Sequence, residues 1–310
     1  MARVLVTGVA GQIGSFLAER LLGGGHTVVG VDHAPSARAG VVMMPGPLVA
    51  AGVAPLLDRC GALDAIVHLA GKTSVGESWA APMDTFDANA RTAAALAYTA
   101  QARDITFVNA SSAEIFGISA DALQSEGTTI APVSPYGVAK AAGHAVVKLV
   151  REEMGARATN LIFYLGESIR RAETFVFRKI TRGLARVKLG HAARLTLGNT
   201  AAIRDFLHAD DLARAAEMFA LGATPGDYVV ASGEAHVVAD IARTCCEVFG
   251  LDAENVLGTD PALFRRADIP RLVGDSTKLR ALGWAPTMTF RELVRSIAEH
   301  DLAAVAREET

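Results

Sequence analysis

The chain opens on a short apolar run, Arg3-Val4-Leu5-Val6-Thr7, that passes without a break into Gly8-Val9-Ala10-Gly11-Gln12-Ile13-Gly14 and then into an amphipathic stretch through Phe16, Leu17, Leu21 and Leu22. A buried strand, a glycine turn and a helix in that order leave few folds open, because parallel strands need a crossover helix that covers the sheet. Gly8 permits the tight turn, Gly11 lets backbone approach a pyrophosphate, and Gly14 lets the helix pack closely on the strand, with phosphates facing the helix N-terminus. Gln12 and Ile13 belong to the same candidate cofactor loop. Turns collect glycine for conformational reasons alone, so the G-x-x-G-x-x-G spacing needs support from its context. That support is Thr27-Val28-Val29-Gly30-Val31-Asp32, a second buried strand ending in an acid, about 20 residues beyond the loop. A carboxylate there accepts from ribose hydroxyls and repels a 2′-phosphate, which predicts NAD over NADP.

Further strand and helix patterns alternate through the first half. A poorly marked third strand lies near Val41-Val42-Met43-Met44, with Pro45-Gly46-Pro47 directly after it. Asp64-Ala65-Ile66-Val67-His68-Leu69-Ala70-Gly71 is a fourth strand, whose end at Leu69 and Ala70 can lie against a cofactor ring; His68 reads as a packed core histidine. An alanine-rich helix over Asp84 to Gln101, strand five at Ile105–Ala110, a helix from Tyr136 to Met154 and strand six at Asn160–Leu165 follow. The expected fold is α/β: a doubly wound parallel Rossmann sheet over 1–165, with a smaller mixed C-terminal substrate-binding lobe over 166–310, some segments of which return to the first domain. That lobe is expected to hold one more strand at Tyr228–Ala231 and short helices from Asp240 onward. A chain of 310 residues with a net charge of −3 and interspersed signs carries no basic stripe for nucleic acid. It has no apolar run of about 18 residues to span a membrane. Its start reads as a strand and not a signal peptide, and Cys60 with Cys245-Cys246 forms neither a disulfide framework nor a spaced metal site, so a cytoplasmic setting is expected.

Chemistry concentrates where strand five ends and the next helix begins. Strand five delivers Ser111-Ser112-Ala113-Glu114 to the carboxyl edge of the sheet, where ligands of open parallel sheets sit. Val133-Ser134-Pro135-Tyr136-Gly137-Val138-Ala139-Lys140 then places a tyrosine four residues before a lysine, on one helical face. A fixed ammonium favours the phenolate, making Tyr136 a candidate acid/base and Lys140 its tuner. The structural alternatives are a helix-start aromatic for Tyr136, strand-end capping for the serines and a solvated loop acid for Glu114. The helix carries apolar residues on a second face as well, which predicts a homodimer or homotetramer. Basic residues gather from Arg170 to Lys188, largely on a helix expected over Glu173 to Lys188, where Arg182, Arg186 and Lys188 read as a solvated face.

Taken together, Thr7-Gly8-x-x-Gly11-x-x-Gly14, Ser111-Ser112-Ala113-Glu114-Ile115-Phe116-Gly117 and Ser134-Pro135-Tyr136-Gly137-Val138-Ala139-Lys140 resemble the extended short-chain dehydrogenase/reductase superfamily, the NAD-dependent epimerases and dehydratases. Glu173-Thr174-Phe175-Val176-Phe177-Arg178-Lys179-Ile180-Thr181-Arg182 resembles the GDP-mannose 4,6-dehydratase branch, as do Leu197-Gly198-Asn199 and Arg204-Asp205-Phe206. The resemblance implies that Tyr136 deprotonates the sugar 4-hydroxyl, Lys140 holds the cofactor ribose, Ser112 binds the 4-oxygen and Glu114 removes the C5 proton. It also implies that Lys179, Arg204, Arg265 and Asp268 hold the diphosphate nucleoside of a GDP-linked hexose. Three positions depart from the branch: Ala113 replaces an aspartate or serine, Leu165-Gly166 replaces asparagine-histidine, and Asp32 fits NAD where the branch generally uses NADP. These departures keep a 4-epimerase or 4-keto-sugar reductase open beside a dehydratase. A non-catalytic dinucleotide sensor has no use for Tyr136 paired with Lys140.

Overall fold

The computed structural model describes residues 1–35, 38–44, 48–264 and 268–308. Seven parallel strands form the central sheet: β1 (Arg3–Thr7), β2 (Thr27–Val31), β3 (Val42–Met43), β4 (Ala65–His68), β5 (Thr106–Ser112), β6 (Ala158–Phe163) and β7 (Asp227–Val230). Their spatial order is 3-2-1-4-5-6-7, so the direction of winding reverses between β1 and β4. At that reversal helices leave on opposite faces and a crevice opens beyond the strand ends.

Alternate residues of β1 feed two different cores, as a pleated strand covered on both faces requires. Val4 and Val6 pack with Leu17 and Leu21 of α1 (Gln12–Gly23) on one face, together with Leu212 and Phe219 of a helix at Ala209–Ala220. Leu5 packs on the other face with Leu96 of α2 (Thr92–Ala102) and with Val147 and Val150 of α3 (Pro135–Met154). Each such fully buried side chain is worth about 1.5–3 kcal/mol, which fixes the register of the helices on the sheet.

The start of α3 follows from its sequence: Ser134 accepts a hydrogen bond from Gly137 N at 3.0 Å, and Pro135 occupies the first turn, where no N–H is needed. Gly155, at φ +68°, ends it in a left-handed cap. The helix expected over Asp84 to Gln101 is a composite: a turn at Pro82–Phe86, a wide π-type turn at Asp87–Arg91, then α2.

A third core unites α4 (Val176–Lys188), α5 (Val238–Phe249) and α6 (Phe290–Glu308), through Phe177, Ile180, Leu184, Ile241, Cys245, Leu293 and Ile297. The expectation of only short helices after Asp240 is therefore corrected, since α6 runs for 19 residues. The solvated reading of Arg182 is corrected as well: it is 5% exposed and pairs with Glu173 at 3.0 Å and Glu308 at 2.5 Å. Its neighbour Arg178 is 4% exposed and bidentate to Asp301 of α6, at 2.7 and 2.9 Å. Two of the acids that hold these arginines, Glu308 and Asp301, come from more than a hundred residues away, out of reach of a local pattern. Lys188 is exposed and Arg186 half-buried, nearer the solvated face expected of them.

Candidate active site

Three neighbouring strands, β1, β4 and β5, end side by side and deliver the glycine loop, Leu69-Ala70 and Ser111–Glu114 to one edge of the sheet. Gly8 has φ +72°, and a Cβ there would lie 2.8 Å from Ala70 N. A Cβ on Gly14 would lie 2.0 Å from Gly8 O, so the helix start is pressed onto the turn as only glycine allows. Gly11 N donates to Gly8 O at 3.0 Å and closes the loop, which leaves Ile13 half-buried against the core. Thr7 ties the loop to β4, its carbonyl accepting from Leu69 N at 3.1 Å and its hydroxyl from Ala70 N at 3.2 Å. Thr7 Oγ1 also meets His68 Nδ1 at 2.8 Å, and burial pushes His68 down to about 3, so the ring is a neutral core group.

Asp32 directly follows β2, with its carboxylate turned back on the loop: Oδ2 accepts from Ala10 N at 2.9 Å and Oδ1 from Ala34 N at 3.2 Å. Its side chain is 5% exposed, with His33 Nδ1 at 3.0 Å. Gln12 donates through Nε2 to Gly166 O at 2.8 Å, while its buried Oε1 has no hydrogen-bond partner. Glu167 Oε2 and Arg171 Nε, in the segment that Gln12 holds, likewise make no hydrogen bond and face each other at 3.9 Å. A glycine cradle, an acid beside it and the orphaned Gln12 Oε1 fit a dinucleotide with its pyrophosphate at the N-terminus of α1.

On the neighbouring strand end, the hydroxyl of Ser112 accepts from Glu114 N at 3.3 Å and is hydrogen-bonded to the Tyr136 phenol. Tyr136 is 9% exposed, and its own N–H donates to Ser78 Oγ at 3.2 Å. Burial pushes the phenol up to about 12; the Ser112 hydrogen bond and the Arg171 charge oppose this, and the Glu114 charge adds to it. The direction is opposite to that expected from a lysine four residues on. Lys140 is itself pushed down by burial, to about 8, and its ammonium donates to Ala110 O at 2.9 Å. The structure thus gathers Tyr136, Lys140, Ser112 and Glu114 in one place, with the phenol held neutral by burial.

The candidate substrate residues divide. Arg204 and Asp268 form an ion pair at 2.7 Å, and Asp268 also accepts from Asn199 Nδ2 at 2.8 Å. Arg204 spends further donors on the carbonyls of Ile203 and Ile269. Lys179 stands on the exposed side of α4, and Arg265 lies outside the described residues. Two departures have structural reasons. Ala113 is 2% exposed and packs in the apolar core, and a Cβ on Gly166 would lie 2.4 Å from Leu212 Cδ1, leaving no room for a larger residue there without repacking.

Sequence reasoning missed Asn89, whose amide exchanges two hydrogen bonds of 2.9 Å with the backbone of Lys72, beside Gly71. It also missed Glu167. Burial pushes this carboxyl up to about 7, against the pull of Arg171 and Arg178. The available signal was its place four residues before Arg171, the spacing of a helical ion pair; the two stop at 3.9 Å in a strand and turn.

Comparison with known proteins points the same way. The family model described as GDP-mannose 4,6 dehydratase matches residues 50–297. GDP-mannose 4,6 dehydratase 2 of Arabidopsis thaliana is 34% identical, over 98% of this chain and 88% of that protein. GDP-mannose 4,6-dehydratase of Vibrio cholerae is 30% identical, over 98% and 95%. Among solved structures, UDP-glucose 4-epimerase of Thermus thermophilus in complex with NAD superposes with a TM-score of 0.85, at 27% identity, over 97% of this chain and 99% of that one.

Proposed function

The chain belongs to the GDP-mannose 4,6-dehydratase family, within the extended short-chain dehydrogenases/reductases, and from that membership we propose that it converts a GDP-linked hexose, GDP-mannose or a close relative, to its 4-keto-6-deoxy form. The observation that carries this reading is Glu114, a carboxylate delivered by the same turn as Ser112 and close enough for its charge to act on Tyr136. An epimerase needs the phenol and the lysine but has no required use for a second base there.

NAD would be held by Gly8, Gly11, Gln12, Ile13 and Gly14 at its pyrophosphate, by Asp32 at the adenosine ribose, and by Leu69, Ala70, Tyr136 and Lys140 toward the nicotinamide. It supplies the hydride acceptor for C4 and, through its ring charge, a cation that favours the Tyr136 phenolate. Tyr136 takes the proton of the 4-hydroxyl while Ser112 holds the 4-oxygen. Once C4 is a ketone, Glu114 removes the acidified C5 proton and passes a proton to the 6-hydroxyl, which leaves as water. The hydride that bound NAD would hand back completes C6, and C5 takes a proton from solvent. Lys179, Arg204, Arg265 and Asp268 bind the diphosphate nucleoside within a substrate lobe formed by 166–310.

A 4-epimerase is the second reading, favoured by Ala113, which leaves no hydroxyl or acid at the position between Ser112 and Glu114. The site of action is the cytoplasm, in keeping with three free, buried cysteines. Among the described residues no helix is long and apolar enough to cross a membrane. The active form is a homodimer or homotetramer. Its support is a groove of about 550 Å³ between Trp79, Met83, Phe86, Pro135 and Val138, on the side of α3 away from Tyr136 and Lys140. Incubation with GDP-mannose and mass analysis tests the function: loss of one water from the nucleotide sugar is expected, and a product of unchanged mass with inverted C4 would replace this reading with the epimerase.

A further inference from the structure

Tyr136, Lys140 and His144 recur every four residues and so form one stripe along α3. All three touch β5 or its end. Tyr136 is bonded to the Ser112 hydroxyl, Lys140 Nζ donates to Ala110 O at 2.9 Å, and His144 Nδ1 meets Ser111 Oγ at 3.0 Å. The third contact belongs to no step of the chemistry, and its groups are buried: Ser111 is 3% exposed and His144 4%.

The far side of the imidazole is anchored too. His144 Nε2 lies 3.7 Å from Asp227 Oδ2 on β7, and Asp227 Oδ1 is fixed at 2.9 Å by both Arg151 and Asn160. Asn160 in turn donates to His144 O at 3.1 Å and accepts from Asn109 Nδ2 at 2.9 Å. The charged groups acting on the ring are Asp227 from the sheet and Arg151 and Lys148 from its own helix, and burial sets the net direction, downward. The imidazole is therefore neutral at neutral pH. Its partners assign the tautomer: Nε2–H faces the carboxylate, and Nδ1 accepts the Ser111 hydroxyl proton.

We propose that His144 is a positioning residue, which through Ser111 holds α3 at one fixed height on β5 and so sets where Lys140 and Tyr136 meet the cofactor and sugar. The role rests on the dehydratase reading only for the chemistry that it serves; the geometry it sets is the same for an epimerase. A leucine would fill the position without desolvating a polar ring, so the network is costly as packing and useful as orientation. Lys140 is the group most exposed to error, since its flexible stem reaches a single carbonyl, and displacements of about 1 Å can cost about a hundredfold in rate.

The test begins without substrate. The Lys140 titration is followed by NMR in carbon-13 lysine-labelled protein, with the signal assigned from Lys140→Arg. In the parent it should centre near 8, and in Ser111→Ala and His144→Leu it should move up toward 10.5, by about one pH unit or more. His144→Asn keeps an acceptor near the Nδ1 position and should restore the parent value, whereas His144→Gln, which reaches toward Asp227 instead, should not. Reduction of bound NAD on adding GDP-mannose should slow about tenfold or more in the two disruptive variants, with little change in the concentration needed for half-saturation. An unmoved Lys140 titration in Ser111→Ala and His144→Leu overturns the proposal, as does an equal shift in His144→Asn. Should His144→Leu fail to fold, Ser111→Ala decides alone. If the parent does not reduce NAD with any GDP-hexose, the proposed function fails, and the Lys140 titration still decides the role of His144.

Discussion

Glu167 is 2% exposed, with one carboxylate oxygen that has no hydrogen-bond partner. Burial lifts it from its ordinary 4.5 to about 7, so between those values the folded chain keeps a proton that the unfolded chain has released. Its contribution to stability is therefore most favourable at and below 4.5 and is lost as pH rises through 7, a swing of up to about 3 kcal/mol. Glu167→Gln removes the swing: the variant should match the parent near pH 5 and exceed it by about 2–3 kcal/mol at pH 8 in denaturant unfolding. Identical pH profiles would show that Glu167 is ionised in the folded chain. The only sequence signal of this residue was its place four residues before Arg171. Tyr136 and Lys140 were legible because a spacing of four has one geometric meaning on a helix, and Asp32 because it ends a strand at a known distance from a glycine loop. The consequence of burial was not legible: Lys140 was expected to lower the Tyr136 ionisation, whereas desolvation of the phenol raises it, opposed by the Ser112 hydrogen bond and the Arg171 charge.

Among the elements, α6 carries the widest structural responsibility. Asp301, fully buried on this helix, binds Arg178 of α4 and accepts from Thr181 Oγ1 at 2.6 Å. Arg178 in turn donates to the carbonyls of Ile169 and Arg171 and so fixes the segment that carries Glu167 and Arg171 to the cofactor crevice. Asp301→Ala strands the Arg178 charge in the interior, and a loss of about 3–5 kcal/mol is expected. Chemical denaturation reads it directly; a loss under about 1 kcal/mol would mean that water reaches Arg178. The strands of the sheet were legible because apolar runs bounded by glycine and small residues define them, down to the short β3 at the sheet edge. The second half was legible only in part: the helix ending at Lys188 and the strand at Asp227–Val230 were expected, whereas α6 has a mixed, weakly patterned sequence and is stabilised by its neighbours. The parallel pair at Leu165–Glu167 and Phe206–His208 is too short to declare itself.

At the scale of the whole molecule, the order 3-2-1-4-5-6-7 explains why groups far apart in sequence share one crevice, while the opposite side of α3 carries exposed apolar side chains. Val138 is 48% exposed, Leu149 45%, Tyr98 42% and Met83 70%, a set of side chains that a second subunit would cover. Val138→Glu places a charge in the middle of that surface, so sedimentation should show the parent as a dimer or larger and the variant as a monomer; a monomeric parent would assign the groove to something else. The central claim is that this molecule dehydrates a nucleotide sugar and does so with Glu114. Its most direct measurement is turnover of GDP-mannose in deuterated water by the parent and by Glu114→Gln, followed by mass and NMR of the product. The parent should release a 4-keto-6-deoxy sugar carrying solvent deuterium at C5, while Glu114→Gln should still reduce bound NAD but form no dehydrated product. Product without deuterium at C5, or normal dehydration by Glu114→Gln, would contradict the account.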